Sequence, residues 1–257
     1  MSKVKIAVQT ITFGNKQSEN FPAVFEAVAA SGATGIELGF RHAADYGASK
    51  LLRELADAGL ELAALHIGGN LVDTSQAANE RNELDNLIEK QTELECPLLI
   101  YSGLNVNNDE ELKRDLHMLN TAALRCSENG IKLLFHNHNW EFANNSHIMN
   151  RLLQDGVPEL GLCPDLGWVH VGGGDVITFL TDNKERLGAI HFKDFTAPPP
   201  EGETIELGRG CAPLREAAAW MAKNCPHLWA IAEQDRTELE PAEAVAINSR
   251  FLREALG

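Results

Sequence analysis

A chain of 257 residues, 44% hydrophobic, is long enough to bury a large core as one α/β barrel, and a formal net charge of −15 argues against nucleic acid or an anionic membrane as partner. Five cysteines, at 96, 126, 163, 211 and 225, are odd in number and form no CxxC pair, which points to buried thiols in a reducing, cytoplasmic compartment rather than a disulfide frame. No signal peptide precedes Lys3 and no apolar run approaches the roughly 20 residues of a membrane span, so a small molecule is the expected partner, in a monomer or a homo-oligomer.

Strands and helices alternate from the start. Val4–Thr10 is a compact apolar strand, and Phe21, Val24, Phe25 and Val28 at helical spacing predict a helix over 21–31, closed by Gly32. Gly35–Phe40 and Lys50–Ala58 form the second strand and helix, and Leu62–Ile67 with a long polar helix from Ser75 to Glu95 the third. The fourth unit is Pro97–Ser102 and Asp109–Asn129, capped by Asn or Asp before it and Gly130 after it. Ile131–His138 and Ser146–Gln154, Leu160–Asp165 and Val176–Leu187, Ala189–Asp194 and Leu214–Asn224, and Leu228–Gln234 and Pro241–Leu256 complete the series. Strand starts recur about every 26 to 40 residues, the length of a right-handed βαβ unit. Eight such units predict a single-domain (β/α)8 TIM barrel over residues 1–257. A doubly wound sheet would show a Gly-rich phosphate loop after its first strand, whereas this chain has Thr12-Phe13-Gly14-Asn15-Lys16. Residues 196–206, with prolines at 198–200, are expected as the one long irregular loop, on the face where barrel enzymes do chemistry.

Ionisable side chains collect at the C-terminal ends of these strands: Glu37 on the second, His66 on the third, His136 and His138 on the fifth, Asp165 on the sixth, His191 and Lys193 on the seventh and Glu233 on the eighth. Alternate strand residues point the same way, so His136 and His138 would share a face roughly 7 Å apart at about 3.3 Å per residue, one on a metal and the other on a substrate. Glu37 could instead pair with Arg41, His66 could be a satisfied core histidine, and His191 an interior hydrogen-bonded one. Asp165 could cap the turn after it, but the sequence shows no helix until after Gly174. Glu233 has few structural explanations, because a carboxylate is rarely buried unpaired.

Oxygen and imidazole donors with no cysteine among them select a hard-to-borderline divalent ion, Mn²⁺, Mg²⁺, Co²⁺ or Zn²⁺. With His136, Asp165, His191 and Glu233 as ligands, two negative charges offset the ion, which would polarise two adjacent sugar oxygens and make the proton beside a carbonyl acidic. Lys193 reads either as an acid or carbonyl polariser or as a plain ion pair with Asp194. Trp168 offers an apolar face to a sugar ring, Phe13 either does the same or packs in the core, and Arg209, between Gly208 and Gly210, either meets a phosphate or is a surface arginine.

Gly-Ile-Glu-Leu at 35–38, His66 in Leu-His-Ile-Gly, His-Asn-His-x-x-Glu-Phe at 136–142, Asp-Leu-x-Trp-Val at 165–169, His-Phe-Lys-Asp at 191–194, Gly-x-Gly at 208–210 and Glu-Gln-Asp at 233–235 follow one another along nearly the whole chain. This series resembles the xylose-isomerase-like sugar phosphate isomerase/epimerase superfamily. The resemblance implies one divalent ion held by Glu, Asp, His and Glu at the ends of strands five to eight, with the two Glu moving protons on opposite faces of the substrate. It carries Asp165, His191 and Glu233 over as ligands.

Strand five departs from that pattern, since His136 stands where the family has Glu. If His136 ligates, one proton-moving carboxylate is missing, and Glu141 is its candidate replacement. The expected activity is a metal-dependent sugar isomerase or epimerase, with Glu141, Glu233 and Lys193 catalytic and Glu37, His66, His138, Trp168 and Arg209 on the substrate. The alternative is a dehydratase or lyase acting on a keto-cyclitol or keto-sugar, similar to inosose dehydratases, because elimination needs one base and one acid. A DNA-repair nuclease of the endonuclease IV type shares the fold but needs three zinc ions and further His and Asp ligands, and Trp168 stands where its DxxH pattern places a His. A non-catalytic binding barrel is the remaining reading.

Overall fold

The computed structural model describes residues 4–68, 77–104, 106–198 and 202–257. Its parallel strands are β1 (Lys5–Gln9), β2 (Gly35–Gly39), β3 (Glu61–Gly68), β4 (Leu98–Ser102), β5 (Lys132–His136), β6 (Gly161–Leu162) and β7 (Ala189–Phe192). β8 (Asp194–Phe195) and β9 (Thr204–Ile205) then form a small antiparallel ribbon, and β10 (Trp229–Ala232) returns to the barrel. The order of the 8-stranded sheet is β6-β5-β4-β3-β2-β1-β10-β7. Two isolated parallel bridges, Leu162 to Leu187 and Asp165 to His191, join its ends and close the cylinder.

Apolar side chains fill both sides of this wall. Ile100, Leu134 and Ile231, with small Ala7, Ala64 and Ala189, plug the interior. Gly161 and Gly188 make room there, since a Cβ on either would come within 2.6 Å of the Leu134 side chain. Outside, helices lay their periodic apolar stripes on the strands. In α1 (Phe21–Ala30) the buried residues are Phe21, Val24, Phe25 and Val28, and Gly32 ends the helix at φ +83. α5 (Asp109–Glu128) starts at Asn108, whose side chain accepts the Glu111 amide at 3.0 Å. The remaining helices are α2 (Phe40–Tyr46), α3 (Ala48–Asp57), α4 (Ala77–Glu93), α6 (Ala143–Asp155), α7 (Leu166–Val171), α8 (Val176–Asp182), α9 (Leu214–Asn224) and α10 (Pro241–Leu256). Among the described residues no helix is long and apolar enough to cross a membrane.

Several local expectations are corrected. Two helices, α2 and α3, follow β2 where one over 50–58 was expected, and Gly47 at φ +90 separates them. A helix does begin before Gly174: α7 starts at Leu166, directly after Asp165. Strand five ends at His136, not His138. Asn144 to Ser146, at the start of α6, have positive φ, so the regular right-handed turns begin just after Ser146, within one residue of the expected start. The loop expected over 196–206 is partly the β8–β9 ribbon. The thiol of Cys211 is exposed, while the other four cysteines are buried. The expected start of the third helix at Ser75 and the prolines at 199 and 200 lie outside the described residues.

Candidate functional site

At the C-terminal end of the barrel, backbone bonds fix the chain segments that carry the polar residues. The His191 amide donates to Pro164 O at 2.9 Å and the Glu233 amide to Phe192 O at 3.0 Å. Asn137 clasps Asp165 from both sides: its Nδ2 donates to Asp165 O at 3.2 Å and its Oδ1 accepts the Asp165 amide at 3.1 Å. Asn137 was missed in the sequence reading, where its place between two histidines was the only signal. Asp165 also caps α7, its Oδ1 accepting the Trp168 amide at 3.0 Å. One Asp165 oxygen thus caps the helix, and Oδ2 is left facing His136 Nε2 at 3.9 Å.

One donor atom from each of His136, Asp165, His191 and Glu233 lies within 4.8 Å of the others, and all four residues are buried. A chain of short bonds runs through the group. Ser102 Oγ meets His66 Nε2 at 3.0 Å, His66 Nδ1 meets Glu37 Oε1 at 2.9 Å, and Glu37 Oε2 meets His191 Nε2 at 2.7 Å. His191 Nδ1 then meets Glu233 Oε2 at 2.5 Å. Glu37 is fully buried with both oxygens engaged by histidines, so it orients His191 and His66 rather than offering itself outward. Lys193 is not paired with Asp194: its Nζ lies 3.4 Å from Asp165 Oδ2, 3.4 Å from Glu233 Oε1 and 3.0 Å from Asp235 Oδ2.

Burial and charge compete at each of these groups. Burial would raise the Glu233 carboxyl, but Lys193 and then His191 hold it well below the usual carboxylate range. Glu37 is likewise lowered, His191 and His66 outweighing its burial. His191 is raised well above an ordinary imidazole because Cys163, Glu37 and Glu233 overcome burial. Lys193 is also raised, by Glu233, Asp165 and Asp235 against burial. Burial pushes Asp165 up to about 7 despite Lys193, and it holds His136 well below 6.5 and therefore neutral.

This donor set fits a divalent cation on two counts. Asp165 Oδ2 and His136 Nδ1 are buried without hydrogen-bond partners. Three buried carboxylates, Glu37, Asp165 and Glu233, with the exposed Asp235 beside them, share only two cations, His191 and Lys193. With Nε2–H kept on Glu37, Nδ1 is the His191 nitrogen left for a ligand, the carboxylate–histidine support common at metal centres.

The remaining expected residues fall at different distances from this centre. The His138 ring is 5.3 Å from that of His136, stacks on Trp140 at 4.2 Å and lies 5.7 Å from Trp168, and burial holds it down to about 4. Trp168 packs on Phe195 at 4.4 Å with Lys193 Nζ 5.3 Å from its ring, whereas Phe13 packs against the core. Glu141 is buried in the turn after β5, its Oε2 accepting the His138 amide at 2.8 Å, outside the four-donor group. Arg209 is exposed and paired with Glu206 at 2.8 Å.

The family described as "Xylose isomerase-like TIM barrel" matches residues 25–255. An inosose dehydratase of Bacillus licheniformis is 25% identical over 162 residues, 56% of this chain and 54% of that protein, so the match spans about half the length of that relative. The fold is shared with a sugar phosphate isomerase/epimerase from Parabacteroides distasonis at TM-score 0.79, 18% identity and coverage of 98% and 94% of the two chains. It is shared equally with a probable 3-DHS dehydratase from Bacillus anthracis at TM-score 0.81, 14% identity and coverage of 97% and 98%.

Proposed function

The chain belongs to the xylose isomerase-like TIM-barrel family, and from that membership we propose that it dehydrates a keto-cyclitol or keto-sugar, beginning with removal of the proton next to the carbonyl. The observation that carries this reading is the pairing of Glu233 with Lys193, a carboxylate held ionised and an ammonium 3.4 Å from it, while β5 ends in an imidazole instead of a second carboxylate. The inosose dehydratase relatives support it. A divalent ion held by His136, Asp165, His191 and Glu233 supplies Lewis-acid polarisation of the substrate oxygens when bound.

The chain's own groups do the rest. Glu233, which its neighbours hold ionised, takes the proton through the oxygen turned away from His191. Lys193, whose raised pKa keeps its proton in place, sets a fixed positive charge against the enolate oxygen and the departing hydroxyl. Glu233 then hands its proton to that hydroxyl, so water leaves without net proton uptake. His138, Trp140 and Trp168 offer flat faces to the ring of the substrate.

The isomerase or epimerase outcome is the second reading, favoured by Glu141, whose carboxyl burial pushes up to about 7 and so suits a proton carrier. Incubating the metal-loaded protein with an inosose in D₂O separates the two. Loss of water to an unsaturated or diketone product is expected. Deuterium uptake with the substrate otherwise intact supports the epimerase, and no exchange or loss with any keto-polyol contradicts both.

A further inference from the structure

Ser102 and His66 take no part in the dehydration proposed above, yet they are joined in an arrangement with a chemistry of its own. Ser102, the last residue of β4, sets its Oγ 3.0 Å from His66 Nε2, and His66 Nδ1 lies 2.9 Å from Glu37 Oε1. Glu37 is held ionised by its histidines, and a carboxylate only accepts, so the imidazole proton sits on Nδ1. Nε2 is then the acceptor, and Ser102 donates its hydroxyl proton to it. A hydroxyl, a base and a carboxylate that orients the base together activate the oxygen for attack on an acyl carbon.

The surroundings suit an approaching ester. Ser102 and His66 are half-buried at the barrel mouth, open in part to solvent. Gly68 stands opposite Ser102 on β3, and a Cβ there would lie 3.5 Å from Oγ, so the glycine leaves that side of the hydroxyl clear. Gly103, the next residue after Ser102, adopts φ +147, and its amide meets no acceptor among the described residues. The amide that follows a nucleophile is a common oxyanion donor.

We propose that Ser102, His66 and Glu37 give this barrel a second activity, that of a serine esterase cleaving a small carboxylic ester of a polyol. Ser102 Oγ bonds the acyl carbon as its proton passes to His66 Nε2, the ester carbon–oxygen bond breaks, and that proton leaves on the alcohol. Water, deprotonated by the same nitrogen, then displaces Ser102 and releases the acid. Only the polyol half of this substrate rests on the keto-polyol reading above.

The experiment needs no keto-polyol turnover, so the two readings fail separately. The protein is incubated with a fluorophosphonate, whose phosphorus takes the serine oxygen and loses fluoride, and the modified residues are mapped by tandem mass spectrometry. Label on Ser102 is expected, at a rate lowered at least about 100-fold in His66→Gln, with hydrolysis of p-nitrophenyl acetate that Ser102→Ala abolishes. A serine held only for structure would stay unlabelled. An unlabelled Ser102 overturns the proposal, as does equal labelling in His66→Gln or undiminished hydrolysis in Ser102→Ala. If a variant fails to fold, the label map of the wild-type protein decides alone.

Discussion

Burial pushes the Glu141 carboxyl up to about 7 from an ordinary 4.5, while its Oε2 holds the His138 amide. A carboxyl raised on folding favours the protonated fold, so its stabilising contribution is complete below pH 4.5 and is lost as pH rises through about 7. Glu141→Gln keeps an acceptor for the amide and cannot ionise. Urea melts should therefore show the variant more stable than wild type above pH 7 by roughly 1–3 kcal/mol and nearly equal near pH 4.5, and a pH-independent difference would contradict the assignment. Lys193 offers the complementary test, because its ammonium leans on Asp165 and Glu233, the carboxylates proposed to hold the ion. Lys193→Met should bind Mn²⁺ at least about tenfold tighter in calorimetry, through loss of like-charge repulsion, and lose turnover. Weaker ion binding in that variant would contradict a shared pair of carboxylates.

The short helix α7 carries Asp165 into the site, and it was invisible in the sequence for physical reasons. Its residues, Leu166-Gly167-Trp168-Val169-His170-Val171, include a glycine and two β-branched valines, a poor local case for a helix. It forms because the Asp165 side chain caps it and because Leu166 and Val169 are buried. Gly167 then sits so close to β8 that a Cβ would lie 2.4 Å from Lys193 O and 3.0 Å from the Phe195 ring. Gly167→Ala should cost about 1–3 kcal/mol by overpacking and should also weaken divalent-ion binding, since moving α7 moves Asp165. A destabilised variant with unchanged ion affinity would uncouple the helix from the site. His138 was misplaced on strand five because alternation says nothing of where a strand stops. The strand stops at His136, after which the side-chain carboxamide of Asn137 bonds the Asp165 backbone.

Across the whole molecule, the regular alternation of apolar strands and amphipathic helices made the barrel readable, because its eight units repeat one packing problem with similar spacing. The candidate site was readable in part, since buried polar residues at strand ends stand out against apolar runs such as Ala230-Ile231-Ala232 before Glu233. Its wiring was not. Glu37 and His191 are 154 positions apart, and neither local propensity nor periodicity predicts that a carboxylate on β2 orients a histidine on β7. What unites these features is a buried excess of carboxylates at the barrel mouth that a divalent cation would balance. Anomalous diffraction from crystals soaked in Mn²⁺ tests this directly: the account predicts one strong peak bounded by His136, Asp165, His191 and Glu233, and an absent peak, or one bound elsewhere on the protein, would contradict it.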